Sequence, residues 1–240
     1  MRVIAIANQK GGVGKTISTL NIGAGLARRK RKVLLVDLDR QGNLSMYALP
    51  TYKRTEKQAD SIYSVCRGSA KFSDVIRGVE ENLSIIPAGK DLDELRDKAI
   101  TFDFSSLHYD YVIFDCPPAM QGATVSAIRA ADGAIIPTFC DKFSFESLGE
   151  ISLSMKALGR KINGILITKF NSRLSVAEQV KSDIITFADS IKVKVYPVVR
   201  DRVAIQDSQS FRQNIFAYDS KSDSAADYAA VAEEIIKEEK

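Results

Sequence analysis

Apolar residues run almost without interruption over residues 3–7 and 33–38, and between them Leu20, Ile22, Leu26 and Ala27 recur at helical spacing. Short continuous runs suit strands buried on both faces, and apolar positions three to four apart suit a helix, here over residues 16–29. A glycine-rich turn over residues 10–14 joins the first strand to that helix, so the chain opens as strand, loop, helix, strand. Such a connection is right-handed and places its strands in a parallel sheet covered by helices. Residues 83–87, 111–114, 134–138, 162–168 and 193–199 are further strand candidates, separated by segments long enough for helices. Residues 51–80 are polar and mixed, and read as a helical excursion with loops. Near the end, Ala225, Tyr228, Ala229, Val231, Ala232, Ile235 and Ile236 mark a terminal helix within residues 224–240 that packs on the body. The pattern predicts one α/β domain over residues 1–240, with a mostly parallel central sheet flanked by helices.

Composition narrows the class without choosing a function. At 240 residues, 45% hydrophobic and 27% charged, the chain can bury a full core and is neither collagen-like nor disordered. There is no repeat and no proline-rich linker, which favours one domain over two. The balance of 34 basic against 30 acidic residues gives +4, which permits an anionic partner but leaves the decision to where the charges sit. Cys66, Cys116 and Cys140 are odd in number and far apart, so they suggest neither a disulfide framework nor a metal site, and a reducing cytoplasm is the expected setting. The apolar start is too short for a signal peptide or a membrane span.

The chemistry concentrates at three strand ends. Lys10-Gly11-Gly12-Val13-Gly14-Lys15-Thr16 follows the first strand and opens the helix. Glycines allow close main-chain approach, amides at a helix N-terminus surround phosphate oxygens, and Lys15 neutralises the β and γ phosphates. Gly11, Gly12, Val13, Gly14, Lys15, Thr16 and Ile17 are therefore the candidate nucleotide-binding run, and Thr16 is placed for Mg²⁺. Asp37 and Asp39 follow the second strand, where a parallel sheet presents ligands; a water-positioning role suits one of them, and a helix-cap role is the competing reading for either. Asp115 closes the run Tyr111-Val112-Ile113-Phe114, where it can accept a water bound to Mg²⁺, while Pro117 and Pro118 constrain the next turn. Cys116 has no His or second Cys beside it and reads as a packing thiol.

With Gln9 in place of the first glycine of G-x-x-x-x-G-K-[ST] and Lys10 added, the sequence resembles the deviant Walker A family of P-loop ATPases. That family includes ParA and Soj-type partition ATPases, MinD-like septum-site proteins and relatives of the nitrogenase iron protein. The resemblance implies ATP and Mg²⁺ as ligands and a slow ATPase, with Lys10 reaching across an ATP sandwich homodimer to the partner's phosphates. It assigns the water to Asp39, connects Asp37 with the metal shell beside Thr16 and Asp115, and makes Lys10, Lys15 and Asp39 the catalytic set. Gln41 and Asn43 match the partition-type continuation, whereas Arg40 stands where the family commonly has proline. The stretch Thr168 to Arg173 resembles the segment near the adenine pocket, and the stretch Val199 to Ala204 the loop over the base. Asn171 and Asp201 are therefore base-pocket candidates, with loop capping as the alternative for each.

The implied function is ATP-dependent DNA segregation: an ATP-bound dimer on nonspecific double-stranded DNA, switched off when a ParB-like centromere-binding protein stimulates hydrolysis. Nucleoid association in the ATP state and no stable membrane association follow from that reading. Lys192, Lys194, Arg200, Arg202, Arg212 and Lys221 are candidate phosphate contacts. No helix-turn-helix segment precedes Met1, so operator binding is not expected. The alternatives are a MinD-like membrane-associated positioning ATPase, which the acid-rich final residues disfavour, a nonhydrolysing nucleotide switch and, weakest, an electron-transfer reductase.

Overall fold

A computed structural model of the chain describes residues 1–53, 60–95, 98–120 and 122–239. Seven strands form one sheet: β1 (Arg2–Ile6), β2 (Val33–Asp37), β3 (Arg77–Glu80), β4 (Leu83–Ile86), β5 (Tyr111–Asp115), β6 (Gly133–Thr138) and β7 (Ile162–Ile167), in spatial order β3-β4-β2-β5-β1-β6-β7. All neighbours are parallel except β3 and β4. Ten α-helices are described: α1 (Lys15–Ala27), α2 (Asn43–Ala48), α3 (Ile62–Cys66), α4 (Phe72–Val75), α5 (Gly122–Ala130), α6 (Lys142–Ala157), α7 (Ser175–Ser190), α8 (Val203–Ser210), α9 (Ile215–Tyr218) and α10 (Asp223–Lys237). None is long and apolar enough to cross a membrane.

The central strands β1, β2, β5 and β6 are buried on both faces because their side chains alternate between two cores. Val3, Ala5, Leu34, Val36, Val112 and Phe114 face a layer that includes α5, α6 and α7, whereas Ile4, Ile6, Val33, Leu35, Tyr111 and Ile113 face α1 and α10. α1 packs so closely on α10 that a Cβ added at Gly25 would come within 3.0 Å of the Ala232 Cβ. The chain moves from β1 to one side of the sheet for β2 and later to the other side for β6. This reversal opens a crevice beyond the carboxyl end of β1, where α/β sheets hold ligands.

Two segments depart from the sequence reading. Residues 193–199 do not form a strand; they run beside β7 and are tied to it by separate contacts, with a bridge Ile165–Val195 and the Val199 amide donating to the Ile167 carbonyl at 2.9 Å. Pro197 lies within the run and lacks an N–H, which interrupts the ladder. Within the polar region, β3 adds an antiparallel edge strand with a register shift between Gly78 and Glu80, alongside α3 and α4. The rest of that excursion, residues 54–59, lies outside the described residues.

Candidate nucleotide site

The loop between β1 and α1 is shaped by backbone conformations that favour glycine. Gly12 and Gly14 have φ of 76° and 83°, and Gly14 precedes α1 without any side-chain cap, leaving the first amides of the helix for an anion. Two buried polar side chains hold the loop. Asn8 donates to the Pro137 carbonyl at 2.7 Å and accepts the Lys10 amide at 3.0 Å. The Thr168 hydroxyl, at the end of β7, is 3.0 Å from the Val13 carbonyl oxygen and 3.3 Å from that of Thr138. Pinning the Val13 carbonyl turns the Gly14 N–H to the opposite side of a planar peptide. Neither anchor was identified from the sequence; a polar residue immediately after a buried strand was the available signal.

Lys15 is buried, and its ammonium donates to the Lys10 carbonyl at 2.9 Å, folded within the loop it belongs to. Burial pulls its pKa down, against the opposing fields of Asp115, Cys116 and Asp39. Gly11, Gly12, Gly14, Lys15, Thr16 and Ile17 line one cavity with Asp39, Asn43, Tyr47, Pro118, Lys169 and Gln209. Asp39 thus faces the phosphate loop, and its Oδ1 accepts the Gln41 amide at 2.9 Å.

Asp37 and Asp115 sit side by side on β2 and β5 and are both buried. Their environments differ. Asp37 Oδ1 accepts the Asp39 amide at 3.1 Å, and its Oδ2 accepts the Ser45 amide at 2.8 Å and the Ser45 hydroxyl at 2.7 Å. Burial, with the Asp39 charge adding to it, pushes Asp37 up to about 7 despite those bonds. Asp115 is raised well above the usual carboxylate range, first by burial and then by Asp37, with the Thr16 hydroxyl bond and Lys15 opposing. Its Oδ2 is buried with no hydrogen-bond partner among the described residues. That orphaned oxygen beside a threonine hydroxyl fits a water of hydrated Mg²⁺, and a cation would relieve the repulsion between the two acids. Among the described residues no group of three or more His, Cys, Asp or Glu is arranged to hold a metal, which suits an ion completed by phosphate oxygens and water.

A second cavity adjoins the first and is lined by Gly14, Ile17, Thr168, Lys169, Val199, Arg200, Asp201, Arg202, Ile205, Gln206, Gln209 and Tyr228. Asp201, which the resemblance assigns to the base, lines this cavity. Asn171 is not among its lining residues; the Asn171 Oδ1 caps its own turn by accepting the Arg173 amide at 3.1 Å. The pocket wall is fastened by α10, where Asp227 accepts the Arg200 amide at 2.9 Å and its guanidinium at 2.7 Å. Next to it, the Tyr228 hydroxyl lies 3.3 Å from Ser18 Oγ on α1.

Lys10 points away from the cavity that Lys15 lines. Its ammonium lies 2.9 Å from Asp141 Oδ1 and 2.7 Å from Ser144 Oγ, at the start of α6 and near the exposed Phe143 ring. Several of the proposed DNA contacts are engaged within the chain. Arg200 and Arg202 pair with Asp227 and Asp223, Lys194 pairs with Glu238, and Arg212 donates to the Pro50 carbonyl at 2.9 Å. Cys116 is buried, and that burial raises its thiol, as a packing role requires.

A family model described as an AAA domain matches residues 1–168. The chain is 34% identical over 263 residues to the chromosome partitioning protein ParA of Caulobacter vibrioides, covering all of this chain and 96% of that protein. Its fold matches the cell division ATPase MinD of Pyrococcus furiosus with a TM-score of 0.82 at 24% identity, over 98% of each chain. It also matches the cobyrinic acid a,c-diamide synthase of Mycobacterium smegmatis, solved with ADP and magnesium, with a TM-score of 0.81 at 27% identity, over 99% of this chain and 94% of that one. A phosphate loop with an added lysine, acids at two neighbouring strand ends and a full-length relative at 34% identity place the chain in the ParA/Soj/MinD family of deviant Walker A P-loop ATPases.

Proposed function

We propose that residues 1–240 act as one ATPase domain that drives DNA partition, as an ATP sandwich homodimer on nonspecific double-stranded DNA. The observation that carries this reading is the full-length likeness to the Caulobacter partition protein, joined to a cavity where Asp39 faces Lys15 and Thr16. The loop amides and Lys15 hold the phosphates of ATP and stabilise charge as the γ-phosphoryl group departs. Thr16 and Asp115 would hold Mg²⁺, which would supply neutralisation of charge on the β and γ phosphates. Asp37 secures the turn that carries Asp39. Asp39 orients the attacking water through a carboxylate oxygen, and a loose transition state does not require it to take the proton at the outset. Lys10 leaves Asp141 and reaches the phosphates bound by the partner subunit. Asp201 and the rest of the 199–202 loop border the base, and Asn171 supports the neighbouring turn. A ParB-like protein ends the bound state by accelerating hydrolysis, which returns the protein from the nucleoid to the cytoplasm.

Burial of the α10 apolar face, with Ala225, Tyr228, Val231, Ala232 and Ile235 packed inward, favours this reading over a MinD-like amphipathic anchor. The test is binding to nonspecific duplex DNA with ATP, with ADP and without nucleotide at fixed salt, with Lys15→Ala as the nucleotide control and anionic vesicles in parallel. ATP-dependent DNA binding that Lys15→Ala abolishes is the expected result. ATP-dependent vesicle binding without DNA binding would overturn the proposal in favour of membrane positioning.

A further inference from the structure

Arg28, Arg29, Lys30, Arg31 and Lys32 form the turn between α1 and β2, at the end of the sheet opposite the nucleotide cavity. Without these five, the chain's 34 basic residues fall to 29 against 30 acidic ones, so the whole net charge of +4 resides in this one turn. The side chains divide by position. Arg29 pairs with Glu233 and Arg31 with Glu239 at 2.7 Å, which fastens alternate residues to α10 and the residues just beyond it. Arg28, Lys30 and Lys32 are exposed, and none of the three pairs with an acid among the described residues. Lys30 forms the turn with φ of 61°, and Arg28 lies over the Phe216 ring at 5.3 Å. Glu80 and Glu81 share a shallow depression with Arg28 and Lys30, and the Asp110 carboxylate is spent on the Lys32 amide at 2.8 Å.

The geometry points to this turn as a docking surface for the phosphate backbone of duplex DNA, with Arg28, Lys30 and Lys32 making the contacts and the two paired arginines holding the turn in shape. The assignment rests on the DNA-binding reading above and names the surface that carries it. Three unpaired cations on a turn whose backbone is already ordered by folding attract phosphates without reading bases. The five-residue run has no apolar side chain to insert into a bilayer or to anchor a peptide, which separates this surface from an amphipathic membrane segment. The candidates near α10 differ in kind, because Arg200, Arg202 and Lys194 are already paired with acids.

The experiment compares the wild-type chain with a triple variant, Arg28→Gln, Lys30→Gln and Lys32→Gln, for binding a 30-bp duplex in ATP across a salt series. Three lost phosphate contacts make the slope of log K against log salt shallower by about 2.7, and weaken binding on the order of 10²-fold at 0.1 M salt. ATP affinity and far-UV circular dichroism serve as fold controls and are expected to match wild type, since all three side chains are exposed. A second variant, Lys192→Gln with Lys221→Gln, is expected to bind DNA more tightly than the triple variant. Wild-type DNA binding that the triple variant retains with the same salt slope would overturn this assignment and leave the DNA reading intact. No DNA binding by the wild type in any nucleotide state would overturn both. Anionic vesicle binding that only the triple variant loses would reassign the turn to a lipid surface.

Discussion

Thr168 illustrates how one hydroxyl can govern a phosphate site it does not line up with in sequence. Its bond to the Val13 carbonyl spans 155 residues and fixes the peptide that aims the Gly14 amide. Thr168→Val keeps the shape and leaves a buried carbonyl unsatisfied, a loss of about 1–3 kcal/mol in the local structure. The expected outcome is ATP affinity reduced about tenfold by calorimetry, restored by Thr168→Ser. Asp37 supports a prediction of a different kind. Its carboxyl is neutral-favouring in the folded chain, pushed up to about 7 from the usual carboxylate value, so between about pH 4 and 7 the folded state binds more protons than the unfolded one. Unfolding free energy therefore falls as pH rises through that window, and the contribution is fully lost above it. Chemical denaturation of wild type and Asp37→Asn across pH 4 to 8 in the absence of nucleotide measures it. The difference between the two chains should change across that window, with the wild type losing more stability toward pH 7.

At the scale of elements, α10 is a brace between two walls of the nucleotide cleft. Asp227 holds the 199–202 loop through Arg200, while the adjacent Tyr228 reaches Ser18 on α1. Asp227→Ala should loosen the wall at the base and spare the phosphate loop. ATP affinity is expected to fall several-fold while affinity for inorganic triphosphate with Mg²⁺ stays at the wild-type value; an equal loss of both would make the brace merely structural. None of this was legible in the sequence, because Asp227 acquires its role only when a helix 27 residues further along the chain folds back on Arg200. What was legible is local. Continuous apolar runs marked six of the seven strands because both faces of a central parallel strand are buried, and the phosphate loop was readable because its chemistry lies in seven consecutive residues. The edge strand β3 was missed because one face is exposed and its burial alternates over only four residues. Residues 193–199 misled because Val193, Val195, Val198 and Val199 supply the composition of a strand while Pro197 breaks its hydrogen bonding.

For the whole molecule, the position of Lys10 bears on the balance between monomer and dimer. In the single chain its ammonium is held by Asp141 and Ser144, and the ion pair must open before Lys10 can serve a partner subunit. The pair is partly exposed, with 28% and 42% of the two side chains accessible, so opening it costs about 0–1 kcal/mol per subunit. Asp141 has a second duty as the N-cap of α6, accepting the Ser144 amide at 2.8 Å. Asn caps helices about as well as Asp, so Asp141→Asn removes the charge that holds Lys10 while keeping the cap. In the proposed sandwich dimer each of two subunits releases one lysine, so weakening the pair counts twice. In an Asp39→Ala background, chosen to slow hydrolysis, sedimentation in ATP should show Asp141→Asn dimerising up to about thirtyfold more tightly, given about 1.4 kcal/mol per factor of ten. Lys10→Ala should leave the chain monomeric under the same conditions, because it removes the group proposed to cross the interface. If Asp141→Asn weakened the dimer instead, Asp141 would have to contribute to the interface itself rather than compete with it for Lys10.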